Sequence, residues 1–110
     1  MLNNAIVPII GFVAPSGTGK TQLLKALITR LKSKGFKVAV IKHSHHDFQI
    51  DKPGKDSYEL RMSGATQMLI ASKYRWALVN ENENPEQEVT LNTLIKQLDQ
   101  TTLDIILVEG

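Results

Sequence analysis

Residues 14–21 of this 110-residue chain read Ala14-Pro15-Ser16-Gly17-Thr18-Gly19-Lys20-Thr21, and this motif is the strongest indication of the fold. It follows an apolar run and opens a segment with helical periodicity. Gly17 and Gly19 allow successive backbone N–H groups to point inward at an anion, and the start of a helix adds partial positive charge. A lysine and a hydroxyl residue follow at the spacing of a Walker A motif, so the stretch predicts a phosphate-binding P-loop.

The side chains of this loop have predicted roles. We expect Lys20 to reach the β and γ phosphates of a nucleotide. Thr21 is expected to offer its hydroxyl to Mg²⁺, because a small hard cation prefers oxygen ligands. Ala14 stands at the motif's first glycine, where a small residue is a modest replacement. The alternative is an ordinary glycine-rich turn. The predicted nucleotide contacts in the loop are Ser16, Gly17, Thr18, Gly19, Lys20 and Thr21.

The pattern around the loop predicts a strand, a helix and a second strand. Ile6 to Ala14 is almost continuously apolar, as in a strand covered on both faces of a parallel sheet. Apolar residues at helical spacing predict a helix from Lys20 to Lys34 that ends at Gly35. A strand is expected from Lys37 to Lys42. Two strands joined through a helix in this way should be parallel.

The second half of the chain predicts shorter elements. A short helix is capped by Asp56 or Ser57 and ended by Gly64. Two strands follow, over Gln67 to Ser72 and over Trp76 to Val79. After them come a buried strand over Leu103 to Val108 and, before it, an amphipathic helix marked by Val89, Leu91, Leu94, Ile95 and Leu98. The predicted fold class is α/β: a P-loop NTPase with a Rossmann-like three-layer α/β/α arrangement and a mainly parallel sheet. We expect one nucleotide-binding domain over residues 1–110.

The closing strand carries a candidate metal ligand. In Leu103-Asp104-Ile105-Ile106-Leu107-Val108-Glu109-Gly110 an apolar run ends at an acid, as in a Walker B strand. Glu109 would stand where the carboxyl ends of parallel strands gather, which is where ligands bind in open α/β sheets. Asp104 is expected at the opposite end of the strand. The alternative for Glu109 is a solvated strand end.

A polar segment from His43 to Asp56 is predicted to be an exposed loop at the same edge. His43 and Asp47 are candidate nucleotide contacts, and Asp47 is also a candidate Mg²⁺ ligand, as in a switch segment ordered by the γ-phosphate. Asp51 and Asp56 are equivalent to Asp47 on this pattern. A transition-metal site built from His43, His45 and Asp47 and a plain solvated loop are the alternatives.

The basic and aromatic residues beyond the loop do not indicate a single functional role. Either Lys52, Lys55 and Arg61 neutralise phosphate or a second anionic ligand, or they are surface charges, as Lys and Arg usually are. Trp76, the single tryptophan, is expected in packing or at an interface and not in base stacking.

Composition excludes several classes of protein. Thirteen Lys and Arg against eleven Asp and Glu give a net charge of +2 that is scattered along the chain, so nothing requires nucleic acid. The absence of cysteine excludes disulfides and thiolate metal sites. We see neither a secretory signal nor an apolar run near the roughly 18 residues that span a bilayer, and we expect a cytoplasmic protein without a membrane contact.

Several of these stretches together resemble the MobB family of molybdopterin-guanine dinucleotide biosynthesis adaptors. The resemblance covers the whole chain, and its most specific parts are the His-His-Asp and Asp-Lys-Pro-Gly-Lys-Asp-Ser pieces in this order. The matching pieces are Ser16 to Thr21, Ile41 to Asp47, Asp51 to Tyr58, Arg75 to Leu78 and Leu107 to Gly110.

The resemblance implies a GTP-binding accessory protein that is similar to SIMIBI-class P-loop GTPases. Such a protein uses GTP and Mg²⁺, hydrolyses GTP weakly at most, and assists a MobA-type guanylyltransferase. The resemblance also implies a homodimer, and molybdopterin is a further candidate ligand. It maps the nucleotide site onto Gly17 to Thr21, with Asp47 and Glu109 as acids beside the Mg²⁺. No residue is assigned a catalytic role.

The resemblance also implies further strands and a helix beyond the Val-Glu-Gly strand, so the fold is expected to be truncated after the Walker B strand. The final strand would then expose apolar surface. Three alternatives stay open: a metallochaperone GTPase that uses the histidine cluster, a small P-loop kinase, and an adaptor that binds nucleotide without turnover.

Overall fold

The computed structural model describes residues 2–13, 15, 17–44 and 47–110. Met1–His45 and Val89–Gly110 together form one compact unit, and His46–Glu88 forms a second. Within the described ranges no helix is long and apolar enough to cross a membrane. In chain order the elements are β1 (Ile9–Phe12), α1 (Lys20–Ser33), β2 (Val38–Lys42), α2 (Asp56–Met62), β3 (Gln67–Ala71), β4 (Trp76–Asn80), α3 (Leu91–Ile95), a 3-10 helix (Gln100–Thr102) and β5 (Ile105–Glu109).

The first unit contains a three-stranded parallel sheet in the order β1-β5-β2. Leu107 of β5 lies level with Ile10 on one side and Val40 on the other. The predicted parallel sheet is therefore confirmed. Because β5 is the central strand, Ile106 and Leu107 are fully buried. The expectation that the final strand exposes apolar surface is wrong, since both of its edges are paired and both of its faces are covered.

Helices flank this sheet on its two faces. On one face Ile95 of α3 packs in a buried cluster with Ile106 and Val108. Leu107 alternates to the other face and is also buried, and Leu24 is the buried residue of α1. The first unit thus has the predicted α/β/α layering.

The first strand is shorter and less covered than predicted. It begins at Ile9 instead of Ile6. Ile10 remains 44% exposed, whereas the sequence predicted burial on both faces. The difference arises because β1 lies at the edge of the sheet and α1 packs along β2 at the opposite edge. The strand is therefore less buried than its apolar sequence predicts.

The predicted end of α1 is confirmed. Gly35 has φ 85°, a left-handed conformation that favours glycine. Its N–H donates to Lys32 O at 3.0 Å and the N–H of Phe36 donates to Leu31 O at 3.0 Å, so the last turn of the helix is closed. The chain then enters β2 directly.

The helix near residue 90 is shorter than predicted. Thr90 caps α3 by accepting a hydrogen bond from the Thr93 N–H at 3.2 Å. Asp99 caps the following 3-10 helix through the Thr101 N–H at 3.2 Å. These two caps fix the boundaries, so Val89 precedes the helix and Leu98 follows it, although Leu98 still packs against the core.

The second unit is built from α2 and an antiparallel β3–β4 hairpin that forms a sheet of its own. The two strands occur where predicted. The predicted cap of α2 is wrong, because Lys55 is the N-cap and makes no side-chain capping bond. Glu59 in the first turn instead accepts the Gly54 N–H at 3.1 Å. Gly64 ends the helix as predicted, with φ 120°.

Candidate nucleotide-binding site

Two glycines in the described part of the loop between β1 and α1 have the left-handed backbone conformation that was expected of a phosphate-binding turn. Gly17 and Gly19 have φ 81° and 84°, in the left-handed region. A Cβ added at either position would meet no atom within 4 Å, so the backbone conformation and not space demands glycine. The hydroxyl of Thr18 donates to Pro15 O at 2.7 Å and fastens the loop. Ala14 and Ser16 lie outside the described residues.

The start of α1 is open to an anion. Gly19 is the N-cap, so no side chain caps the helix, and the first turn contains no acidic residue. The first N–H groups of a helix have no intrahelical acceptor and carry the positive end of the helix dipole. With no side-chain cap from the described residues, this helix start suits an external acceptor such as phosphate.

Three side chains meet beside the loop. Lys20 Nζ donates to Gly110 O at 2.6 Å and lies 3.9 Å from Glu109 Oε1. Thr21 Oγ1 lies 3.5 Å from the same carboxylate oxygen. Glu109 reaches this place because it ends β5, level with Phe12 on β1. The structure therefore gathers the Walker A and Walker B candidates as the chain pattern predicts, while the role of Glu109 at a metal stays a prediction.

Asp104 occupies the opposite end of β5, as predicted. Its carboxylate accepts the Lys37 N–H at 2.7 Å, and its own N–H donates to Lys37 O at 2.8 Å. These bonds align the starts of β2 and β5. Asp104 is therefore a structural acid, remote from the phosphate loop.

The other predicted ligands follow β2 in the chain. The N–H of His43 donates to Glu109 O at 2.9 Å, which extends the pairing of β2 with β5 by one residue. Asp47 is exposed and belongs to the second unit, so its nucleotide and Mg²⁺ roles stay predictions. His45 and His46 lie outside the described residues. In the part of the chain that the structure describes, no three His, Asp or Glu side chains cluster as metal ligands.

The second unit is organised around a buried charge. Arg61 is 8% exposed. Its guanidinium donates to Asp51 at 2.6 Å, to Gln49 at 2.8 Å and to Glu81 at 2.8 Å. The expectation that Arg61 neutralises phosphate or is a surface charge is therefore wrong, because two carboxylates and an amide already occupy its terminal nitrogens.

This network also separates the aspartates that the sequence left equivalent. The hydrogen bond from Arg61 lowers the pKa of Asp51 below its ordinary value, against a smaller opposing effect of burial. The residue Asp51 as a whole is half-buried, and its side chain is only 10% exposed. The alternative of a plain solvated loop therefore does not hold at Asp51. Asp56 is exposed on α2.

Several polar contacts carried no signal in the sequence. The N–H and side-chain amide of Asn4 bond to Asn92 at 2.8 and 2.7 Å, and Gln100 bonds to both Asn4 and Ile6. The partners are 88 to 96 residues apart. No local pattern marks such pairs, because isolated amides are common in surface loops.

The fold and the loop define a P-loop NTPase-like α/β protein. The model of the family described as MobB, molybdopterin guanine dinucleotide synthesis protein B, matches residues 9–110. The chain belongs to the MobB family.

Named relatives agree with this assignment. A molybdopterin-guanine dinucleotide biosynthesis adapter protein from Escherichia coli K12 is 51% identical over 110 residues, which are 100% of this chain and 62% of the relative. A protein of the same name from Haemophilus influenzae is 45% identical over 109 residues, 99% of this chain and 59% of the relative. The chain thus spans about three fifths of the length of these relatives.

The solved structure of Bacillus subtilis MobB has the same fold. The TM-score is 0.74 at 23% sequence identity, and the match covers 94% of this chain and 60% of that chain. At this identity the likeness concerns the fold and not the individual site residues.

The Arg61 network predicts an acid dependence of stability. Because the pKa of Asp51 is lowered in the folded protein, its carboxylate stabilises the fold above the ordinary Asp pKa of about 3.9, and this contribution is lost as the pH falls through the lowered pKa. Urea unfolding from pH 7 to pH 2 should show this loss in the wild type. Asp51→Asn should reduce the free energy of unfolding at pH 7 and flatten its decline in acid. Asp56→Asn, at an exposed aspartate of α2, is the matched control, and an identical acid dependence of both variants would contradict the assignment.

Proposed function

We propose that the loop from residue 15 to residue 21 binds a nucleoside triphosphate together with Mg²⁺. The observation that carries the proposal is the meeting of Lys20, Thr21 and Glu109 at the uncapped start of α1. A cation, a hydroxyl and a carboxylate are the three groups that a phosphate–Mg²⁺ complex uses in P-loop proteins. Gly17 and Gly19 supply the backbone curvature that turns N–H groups toward phosphate.

The donor set suits Mg²⁺. Thr21 Oγ1 and Glu109 Oε1 are 3.5 Å apart, and neighbouring ligands of an octahedral Mg²⁺ are about 3 Å apart, so a small movement of either side chain suffices. The cation would neutralise phosphate charge. Thr21 would bind it through the hydroxyl, and Glu109 would bind it directly or through water. We propose Asp47 as a further acid beside the Mg²⁺.

We infer that the nucleotide is GTP and that the role is accessory. The relatives are named adapters of molybdopterin-guanine dinucleotide biosynthesis, whose product contains guanine. The expected partner is a MobA-type guanylyltransferase in the cytoplasm, and molybdopterin is a candidate second ligand. Slow hydrolysis fits the site, because Glu109, the acid that the described residues place beside the loop, would face the Mg²⁺ and would not be free to activate water.

Lys20→Ala should weaken binding of GTP with Mg²⁺ by roughly 10- to 100-fold, because hydrogen bonds to charged groups contribute about 1.5–3 kcal/mol each. Isothermal titration calorimetry of the full chain with GTP and with ATP measures this effect and the choice of base. Lys25→Ala, which removes an exposed lysine one and a half turns along the same helix, is the matched control.

The outcomes separate the parts of the proposal. Wild-type binding of GTP over ATP with loss only in Lys20→Ala supports it. Equal affinities of Lys20→Ala and the wild type would place the nucleotide elsewhere. Preference for ATP would leave the site in place and remove the guanine assignment.

The proposed homodimer has a candidate surface in the second unit. The apolar stripe consists of Leu69, Ala71, Trp76 and Leu78, which share one face of the β3–β4 hairpin by register and alternation. Trp76 is 67%, Leu69 61% and Leu78 47% exposed. The Gln67 amide bonds Asn80 at 3.0 Å and closes the stripe at one end with a polar pair.

We propose that this stripe packs against the same stripe of a second copy. A two-stranded sheet is marginally stable by itself and gains most from covering an apolar face. The stripe carries no charge, so packing it on its own copy about a twofold axis leaves no buried charge unpaired. The interface would be continuous and largely aromatic and aliphatic, the composition typical of the core of a homodimer interface.

Leu69→Glu should shift the chain toward monomer, because each copy would bury a carboxylate in the interface without a partner. Sedimentation velocity over a range of protein concentrations measures the effect. The matched control is Leu60→Glu, at a leucine that is 63% exposed on α2 outside the stripe. A dimer that tolerates Leu69→Glu as well as Leu60→Glu would contradict this surface, and a wild-type monomer would contradict the dimer itself.

A further inference from the structure

A single carboxylate oxygen serves two of the proposed ligand groups. Oε1 of Glu109 lies 3.9 Å from the ammonium of Lys20 and 3.5 Å from the hydroxyl of Thr21. Lys20 also donates to the backbone oxygen of Gly110 at 2.6 Å. The cation that should bind phosphate is therefore held at the end of β5 by the same acid that should face Mg²⁺.

The Lys20–Glu109 ion pair is partly shielded from solvent. The side chains of Lys20 and Glu109 are 15% and 13% exposed, so solvent screens their attraction less than it screens a surface ion pair. A phosphate that binds at the loop without a metal has to draw Lys20 away from Glu109. It also brings its negative charge close to an uncompensated carboxylate, and both effects weaken metal-free binding.

We propose that Glu109 makes nucleotide binding dependent on Mg²⁺ by restraining Lys20 until a metal is bound. The inference rests on the proposed function of the loop. With Mg²⁺ bound, Thr21 and Glu109 would hold the cation, and Lys20 would become available to the phosphate oxygens. Metal and nucleotide then strengthen each other's binding through one side chain, and this coupling is reciprocal.

The direction in which the metal-free GTP affinity changes when Glu109 is replaced distinguishes this restraint from a role as a Mg²⁺ ligand alone. If Glu109 only bound Mg²⁺ and acted on neither Lys20 nor the phosphate charge, its removal would weaken GTP binding in Mg²⁺ and leave metal-free binding unchanged. If Glu109 also restrains Lys20, Glu109→Gln should tighten metal-free binding, because the neutral amide neither holds the ammonium nor repels phosphate. The gain stays modest, since the Gly110 carbonyl remains an acceptor for Lys20.

The experiment is a calorimetric titration of the full chain with GTP in EDTA and again in excess Mg²⁺. Glu109→Gln should bind metal-free GTP about two- to fivefold more tightly than the wild type, the range that a partly sheltered ion pair of up to 1 kcal/mol allows. The improvement that Mg²⁺ brings should fall by about tenfold or more. Asp104→Asn is the matched control, because it removes the same charge from the other end of β5 and keeps an acceptor for the Lys37 N–H.

Each outcome decides one question. Tighter metal-free binding in Glu109→Gln alone supports the restraint. Metal-free affinity that is unchanged or weaker in Glu109→Gln, or tightened equally by Asp104→Asn, overturns the restraint while leaving the P-loop assignment intact. A wild type that binds no GTP in either buffer overturns the proposed function itself, and the restraint with it.

Discussion

The parallel pairing of β5 between β1 and β2 is the constraint on which the rest of the first unit depends. Parallel strands bring their carboxyl ends to one edge, so the acid that ends β5 has to arrive beside the loop that leaves β1. The buried side chains of β5 hold it there: Ile106 and Leu107 face opposite layers and are both fully enclosed. Stability and site geometry therefore come from the same strand, and a change that loosened β5 would displace Glu109 from Lys20 and Thr21.

The second unit follows a different physical principle. Arg61 is the buried residue among those described there, and it replaces an apolar core with a network to Asp51, Gln49 and Glu81. Both terminal nitrogens of its guanidinium are hydrogen-bonded, whereas its Nε is buried without a hydrogen-bond partner among the described residues. Removing one partner of such a buried charge is destabilising. The large apolar residues of the hairpin face outward instead, an arrangement expected of a surface that another molecule covers.

The sequence was most informative where local chemistry determines the structure. The loop glycines, the helix stop at Gly35 and the acid at the end of the last strand each have a local physical cause, and their positions follow from spacing alone. The sheet order, the exposure of Ile10 and the brevity of α3 depend on neighbours distant in the chain. Arg61 shows the same limit, since a lone arginine in a polar stretch is usually solvated and only its partners reveal that it is buried.

We propose that the backbone of the loop receives the phosphates. The most direct test is the backbone amide spectrum of the isotope-labelled chain, titrated with GTP and Mg²⁺. The largest chemical-shift changes should fall on the amides of Gly17 to Thr21, with a smaller change at Glu109. Binding of GTP that leaves those amides unshifted would contradict this proposal.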